Sequence, residues 1–167
     1  DNEIYPGGEG EPLVGGAWLS SVDVVPVVSL AHTDGLAVAL AALPFEGGVS
    51  SLGIDIERVK ARPEEYADVA FDDAERALIA AVTGGDDEWT LRCWCAKEAG
   101  GKALRSGLTA GPRSLAVVAI DGPSGRVEVE PRGRLAAANE PGLRLVAYTR
   151  RQDDLVSAST IGERAGP

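Results

Sequence analysis

The sequence predicts an α+β protein in which helices pack on an antiparallel sheet. Short apolar runs rich in β-branched residues, separated by turn residues, fill the first third of the chain and are typical of strands. Residues 63–104 instead carry apolar residues at helical spacing together with helix-capping residues. Strand-like runs return over residues 115–161. Strands followed by helices and then by further strands predict an α+β arrangement.

The composition limits the class of protein. With 167 residues, 44% of them hydrophobic and 25% charged, the chain is long enough for one domain with a sizeable core. The formal net charge of −10 argues against a nucleic-acid partner, because nucleic-acid binders normally present a basic face. No apolar run approaches the length of a membrane span and no basic, apolar leader is visible, so we expect neither membrane insertion nor export.

The two cysteines, Cys93 and Cys95, are separated by one residue in a predicted helix. They face different directions there and cannot readily form a disulfide with each other, which predicts a protein of the reducing cytoplasm. Without a second Cys or His cluster the pair is poor evidence for zinc, and both residues are predicted to be packing residues.

The N-terminal third contains a predicted hairpin. Residues 1–15 are rich in glycine and acids and are predicted to be a flexible lead-in, and the absence of methionine suggests a piece of a longer polypeptide. Residues 24–31 and 36–43 are apolar runs joined through an Asp-Gly pair, which is a hairpin signal. His32, the single histidine, lies where the first run meets the turn. It is either a polar turn residue or a contact for a phosphate or ribose.

A short strand over residues 53–57 places two carboxylates on one face. Side chains alternate along a strand, so Asp55 and Glu57 project together while Ile54 and Ile56 enter the core. Two acids about 7 Å apart along a strand can converge on one hard cation.

Two helices are predicted next. Pro63, followed by acids, is a fitting opening for the first. Asp72 is the predicted N-cap of the second, with Glu75 at the capping-box position, and Gly84 and Gly85 end it. Capping explains Glu75 fully, and an outer-shell role at a metal is the alternative interpretation.

A long helix over residues 88–104 carries a third carboxylate. Glu98 and Lys102 are four residues apart and share a face, which on spacing alone an ordinary surface ion pair would explain. Gly100 and Gly101 inside the helix each cost about 1 kcal/mol relative to alanine, which suggests that a strand or a ligand packs closely there.

The C-terminal third is predicted to be mostly strands. Residues 115–120 and 126–130 read as a hairpin, residues 131–142 as a connection, and residues 143–149 and 155–161 as a final strand pair.

Three carboxylates with two lysines beside them describe a site for a magnesium-bound phosphate ester. The carboxylates are Asp55, Glu57 and Glu98, and the lysines are Lys97 and Lys102. No Gly-x-x-x-x-Gly-Lys-Ser/Thr loop is present, which disfavours a P-loop nucleotide hydrolase.

Several motifs resemble one enzyme family. Residues 53–57, Gly-Ile-Asp-Ile-Glu, and residues 94–103, Trp-Cys-Ala-Lys-Glu-Ala-Gly-Gly-Lys-Ala, resemble the signature of the 4'-phosphopantetheinyl transferases. Phe71 and Glu75 match the family's Phe-x-x-x-Glu element, and the stretch around His32 partly matches its Ser-His-Ser element.

The resemblance implies a fold and a subtype. The family fold is a pseudo-dimer of two α+β halves with the active site between them, and here the first half would be shortened. The transferase domain would span residues 16–167, with a partial first half over 16–50 and the second half over 51–167. The larger, surfactin-synthetase-activating type is implied, and the integrated C-terminal domain of an enediyne-type polyketide synthase is a candidate.

The resemblance also implies a reaction. The enzyme would transfer the 4'-phosphopantetheine arm of coenzyme A to a serine of an acyl carrier protein, releasing adenosine 3',5'-bisphosphate. Asp55, Glu57 and Glu98 would hold Mg2+, and the catalytic residues would be Asp55, Glu98 and Lys102. Glu98 would serve as the base, directly or through a metal-bound water.

The same resemblance assigns coenzyme contacts to His32, Lys97 and Lys102. The carrier protein could lie in the same polypeptide. Two other functions stay open, namely a non-catalytic docking domain for carrier proteins and another Mg2+-dependent enzyme that acts on nucleotide pyrophosphates.

Overall fold

The computed structural model describes residues 2–8, 10–44, 49–59, 64–83 and 87–163. The predicted Pro63 helix start and Gly84–Gly85 helix end therefore lie outside the described residues. The strands are β1 (Asn2–Pro6), β2 (Pro12–Gly16), β3 (Val27–Thr33), β4 (Leu36–Ala42), β5 (Val49–Arg58), β6 (Leu115–Asp121), β7 (Arg126–Pro131), β8 (Leu145–Gln152) and β9 (Leu155–Glu163). The α-helices are α1 (Glu64–Ala70), α2 (Asp73–Thr83), α3 (Asp87–Ala103) and α4 (Gly133–Ala137), with single 3-10 turns at Ala17–Ser21 and Pro112–Ser114.

A five-stranded antiparallel sheet with the order β5-β9-β8-β7-β6 forms the centre of the fold. β5 lies at one edge and pairs with the last strand, so that Asp55 is opposite Ala158. The long helix α3 packs across the sheet, against β5, β9 and β8 above all. The α+β class with helices on an antiparallel sheet is confirmed.

The start of α2 follows the predicted capping box. The backbone N–H of Glu75 donates to Asp72 Oδ1 (2.9 Å), and the backbone N–H of Asp72 donates to Glu75 Oε2 (3.0 Å). Two helix donors that would otherwise lack partners are thereby satisfied, which confirms the predicted capping role of both residues.

Close packing explains the glycines in and around α3. A Cβ on Gly53 of β5 would lie 1.8 Å from the carbonyl oxygen of Ala99, so the helix backbone rests directly on the strand. A Cβ on Gly100 would lie 3.0 Å from Val129 Cγ2, and one on Gly101 would lie 2.6 Å from the carbonyl oxygen of Gly107. Of the two possibilities that the sequence left open, protein packing accounts for the helix glycines.

Replacing Gly53 with alanine is expected to lower the free energy of unfolding by about 3 kcal/mol, because the new methyl group collides with backbone that cannot move alone. Urea unfolding followed by circular dichroism measures the change. Gly8→Ala is the matched control, since nothing lies within 4 Å of a Cβ there. Equal stabilities of the two variants would contradict direct contact between α3 and β5.

In the part of the chain that the structure describes, two buried clusters form the core. One lies between the helices and β6, β7 and β8 and includes Cys93, and the other lies between α3 and β9 and includes Cys95. Both cysteines are free and fully buried, and burial raises the pKa of the Cys93 thiol to about 12. Their predicted packing role is confirmed.

The first third contains more regular structure than expected. Residues 2–16, which fall largely in the predicted flexible lead-in, form a hairpin of β1 and β2 with Ile4 opposite Val14. The hairpin predicted over residues 24–31 and 36–43 is confirmed as β3 and β4, with Leu30 opposite Ala39. It packs on β5, where the backbone N–H of Ile54 donates to Ser29 Oγ (3.0 Å). The predicted connection over residues 131–142 contains the short helix α4.

Within the described ranges, none of the helices has the length and apolar character that crossing a membrane requires.

Candidate functional site

The candidate site forms where α3 crosses the edge strand β5. Asp55 lies on the face of β5 that α3 covers, and only 7% of its surface is exposed. Lys102, in the last turn of α3, donates from Nζ to Asp55 Oδ1 (2.8 Å) and to the carbonyl oxygen of Ile54 (3.0 Å). The contact that Gly53 allows between helix and strand brings these two side chains together.

The second oxygen of Asp55 is enclosed by protein. Asp55 Oδ2 is buried and lacks a hydrogen-bond partner among the described residues. The Cys95 thiol lies behind this carboxylate, and its pKa is raised first by burial and then by the charge of Asp55. Because a buried carboxylate oxygen without a partner is costly, Oδ2 is a natural point of attachment for a cation.

Glu98 belongs to the same group. Its side chain is half-buried, and its pKa is raised, first by burial and next by the negative charge of Asp55. Glu57 raises the pKa of Glu98 further, whereas the Lys102 ammonium opposes the shift. The three predicted carboxylates and Lys102 are therefore electrostatic neighbours.

These carboxylates do not form a compact set of ligands as the side chains stand. Among the described residues, no three His, Cys, Asp or Glu side chains lie close enough together to hold a metal ion. Asp55 directs one oxygen at Lys102, and Glu57 accepts a weak hydrogen bond from Thr33 Oγ1 (3.5 Å).

The β3–β4 hairpin borders this group. Thr33 contacts Glu57, and the Arg58 guanidinium joins the carbonyl oxygen of Asp34 (3.3 Å) to the carboxylate of Asp154. His32 is exposed and precedes Thr33 in β3, so the alternation of a strand directs it to the opposite face of the hairpin. The structure therefore does not bring His32 into contact with the carboxylates.

Lys97 lies elsewhere, which corrects the expectation that it stands beside Glu98 at the site. Its side chain is fully buried, with Nζ 2.7 Å from Glu75 Oε1 and 4.6 Å from the centre of the Phe71 ring. Nζ also donates to the carbonyl oxygens of Ala70 and Pro112. Burial lowers the pKa of Lys97, and Glu75 opposes that shift. Consecutive helix residues differ by about 100° in direction, so Lys97 enters the core while Glu98 faces β5.

Glu75 is the residue whose role the sequence underestimated. Its Oε2 closes the capping box, and its Oε1 binds both Lys97 and the backbone N–H of Val117 (2.7 Å). A glutamate with 1% of its surface exposed thus connects α2, α3 and β6. The spacing of residues within α2 could not have revealed these partners of Glu75, because they lie in α3 and β6.

The segment that carries this site matches a known family model. The model of the 4'-phosphopantetheinyl transferase superfamily (ACPS) matches residues 51–147, which is more than half of the chain. The chain belongs to this superfamily. A search of curated proteins found no match.

The superfamily match covers the parts that build the site. It includes Asp55 and Glu57 on β5 and all of α3 with Glu98 and Lys102. The β3–β4 hairpin with His32 lies before the matched range. Superfamily membership supports a transferase that uses coenzyme A and acts on carrier proteins.

Replacing Glu98 with glutamine is expected to raise the melting temperature near neutral pH by about 2 °C. The raised pKa means that folding favours the protonated carboxyl, so ionisation of Glu98 costs stability once the pH exceeds that pKa. Calorimetric melting across a pH series tests this. The gain should disappear below the ordinary pKa of a glutamate, and a gain that is independent of pH would contradict the explanation.

Proposed function

We propose that this chain transfers the 4'-phosphopantetheine arm of coenzyme A to a serine hydroxyl of an acyl carrier protein, with Mg2+ as cofactor. The observation that carries the proposal is the Lys102 ammonium bound to Asp55 beside the half-buried Glu98. These residues stand on the two elements whose motifs resemble the family signature, and superfamily membership supports transferase chemistry.

The donor set fits a divalent cation. Carboxylate oxygens are hard ligands of the kind that Mg2+ prefers, and Asp55 Oδ2 is buried without a partner in the described part of the chain. The pKa of Glu98 is raised first by burial and next by the negative charge of Asp55, and a bound cation would offset that negative charge. Asp55, Glu57 and Glu98 would hold Mg2+, which when bound supplies positive charge to the pyrophosphate of the coenzyme.

Lys102 and Glu98 have complementary roles in the transfer. The serine oxygen forms a bond to the phosphorus that carries the pantetheine arm, and the bond from that phosphorus to the bridging oxygen breaks. Adenosine 3',5'-bisphosphate leaves. Lys102, fixed by Asp55 and the Ile54 carbonyl, neutralises the phosphate oxygens. Glu98 accepts the serine proton, since its carboxylate lies beside Asp55 and Lys102 at the proposed point of transfer.

Finer parts of the proposal come from the resemblance. We retain His32 as a contact for the 3'-phosphate of the coenzyme on the basis of the resemblance, since its side chain is exposed although it faces away from Glu57. Lys97 is no longer proposed as a coenzyme contact, because its ammonium is held in the core by Glu75. The domain limits of 16–167, the division at residue 50 and the origin in a polyketide synthase remain predictions.

We place the reaction in the cytoplasm. Cys93 and Cys95 are both free and buried, which suits a reducing compartment. The acceptor is proposed to be a carrier protein, in the same polypeptide or a separate one.

Calorimetric titration of the protein with coenzyme A, with and without Mg2+, tests the proposed function. Binding that requires Mg2+ supports it. Binding of a carrier protein without any binding of coenzyme A would favour the docking domain instead. Cleavage of the coenzyme pyrophosphate by water, with no transfer to serine, would favour a different enzyme of nucleotide pyrophosphates.

A further inference from the structure

Arg105 occupies an unfavourable backbone conformation at the end of α3. Its φ of 56° lies in the left-handed region, which only Arg105 and Asp153 enter among the described residues other than glycine. The C-terminus of the helix has a Schellman arrangement, in which the N–H of Ser106 donates to the Gly101 carbonyl (3.2 Å) and the N–H of Arg105 donates to the Lys102 carbonyl (3.0 Å). Glycine is the residue usually found at this position, because a Cβ is strained there.

The side chain of Arg105 gains no compensating contact within the protein. It is exposed, and no hydrogen bond or ion pair joins its guanidinium to the residues that the structure describes. A strained arginine without a partner suggests that the side chain serves a ligand.

The backbone around Arg105 is firmly held. Gly107 also donates its N–H to the Gly101 carbonyl (3.0 Å), and Thr109 Oγ1 donates to the carbonyl oxygen of Ser106 (2.9 Å). A Cβ on Gly101 would collide with the Gly107 carbonyl, so this loop lies directly against the helix. The guanidinium therefore extends from a fixed point, three residues beyond Lys102.

The site offers little positive charge to a ligand that carries several phosphate groups. Of the described residues, Lys102 is the one cation that lowers the pKa of Glu98, and its ammonium is already bound to Asp55. A ligand with several phosphate groups would need positive charge beyond Lys102 and the proposed Mg2+, and the whole chain carries −10. An arginine offers a planar set of donors that suits phosphate oxygens.

We propose that Arg105 binds a phosphate group of coenzyme A and is retained in a strained position for that purpose. This inference rests on the proposed function. The residue is a binding residue, distinct from the transfer chemistry assigned to Glu98 and Lys102.

The test compares three variants by calorimetric titration with coenzyme A and Mg2+. Arg105→Asn removes the charge and tolerates the left-handed conformation, and Arg105→Lys keeps the charge. Arg134→Asn is the matched control, because it also removes an exposed arginine but lies on α4, which packs against β7, away from the edge strand β5. The Kd for coenzyme A should rise at least about tenfold in Arg105→Asn, partly recover in Arg105→Lys and stay unchanged in Arg134→Asn.

Two further readouts complete the test. The melting temperature of Arg105→Asn should be no lower than that of the unmodified protein and should rise by up to about 2 °C. Such a result excludes unfolding as the cause of weaker binding. The KM for the carrier protein should not change.

The outcomes are distinguishable. An unmodified protein that does not bind coenzyme A overturns the proposed function, and this inference falls with it. Binding that is equally tight in Arg105→Asn overturns the inference alone. A raised KM for the carrier protein with unchanged coenzyme binding overturns it in favour of a contact between Arg105 and an acidic protein.

Discussion

Replacing Lys97 with methionine is expected to lower the free energy of unfolding by about 3–5 kcal/mol, because the Glu75 carboxylate would remain buried without a counter-charge. The pair is fully enclosed, with Nζ of Lys97 2.7 Å from Glu75 Oε1 and the Phe71 ring beside it. Chemical unfolding monitored by fluorescence measures the loss, provided that the transition is two-state.

Two controls identify the cause of this destabilisation. The double variant Lys97→Met, Glu75→Leu should recover much of the lost stability, since it removes both buried charges together. Arg76→Met breaks the exposed pairs with Asp68 and Asp73 and should cost less than about 1 kcal/mol. A stable Lys97→Met variant that fails to bind coenzyme A would instead favour a direct contact with the coenzyme.

Replacing Asp55 with asparagine is expected to slow transfer at least about 10²- to 10³-fold, because the change removes the charge that positions Lys102 and the oxygen available to a cation. Asparagine preserves the shape of the side chain, so the fold should persist. Single-turnover assays of holo-carrier formation measure the rate.

The matched control for this prediction is Asp121→Asn. Asp121 ends β6 at the opposite edge of the sheet, where it accepts a hydrogen bond from Ser124. Its rate should stay within a factor of about two, since surface changes away from the site have small effects. Equal rates for the Asp55 and Asp121 variants would remove Asp55 from the mechanism.

Local patterns predicted much of the fold and part of the site. Strand alternation put Asp55 and Glu57 on one face, and the four-residue spacing of Glu98 and Lys102 put both on the side of α3 that meets β5. The capping box at Asp72 was equally readable, because both partners lie within one helical turn. Each of these features depends on neighbours in the sequence.

Features that depend on distant residues were not predictable in the same way. Lys97 precedes Glu98 in the sequence, yet only the packing of α3 against α2 and β6 decides that its ammonium enters the core. Ser29 and Thr33 were not singled out, although they connect β3 to Ile54 and Glu57. The Gly-rich composition of residues 1–15 suggested a flexible lead-in. The pairing of β1 with β2 was missed, because composition does not reveal which strands pair.

Intact-mass analysis of an apo carrier protein, incubated with this protein, coenzyme A and Mg2+, tests the central claim most directly. We expect the carrier to gain the mass of one phosphopantetheine arm with the unmodified protein, and to gain almost none with the folded Asp55→Asn variant. An unmodified carrier in the presence of folded protein, coenzyme A and Mg2+, repeated with several carrier proteins, would contradict the proposed transferase activity.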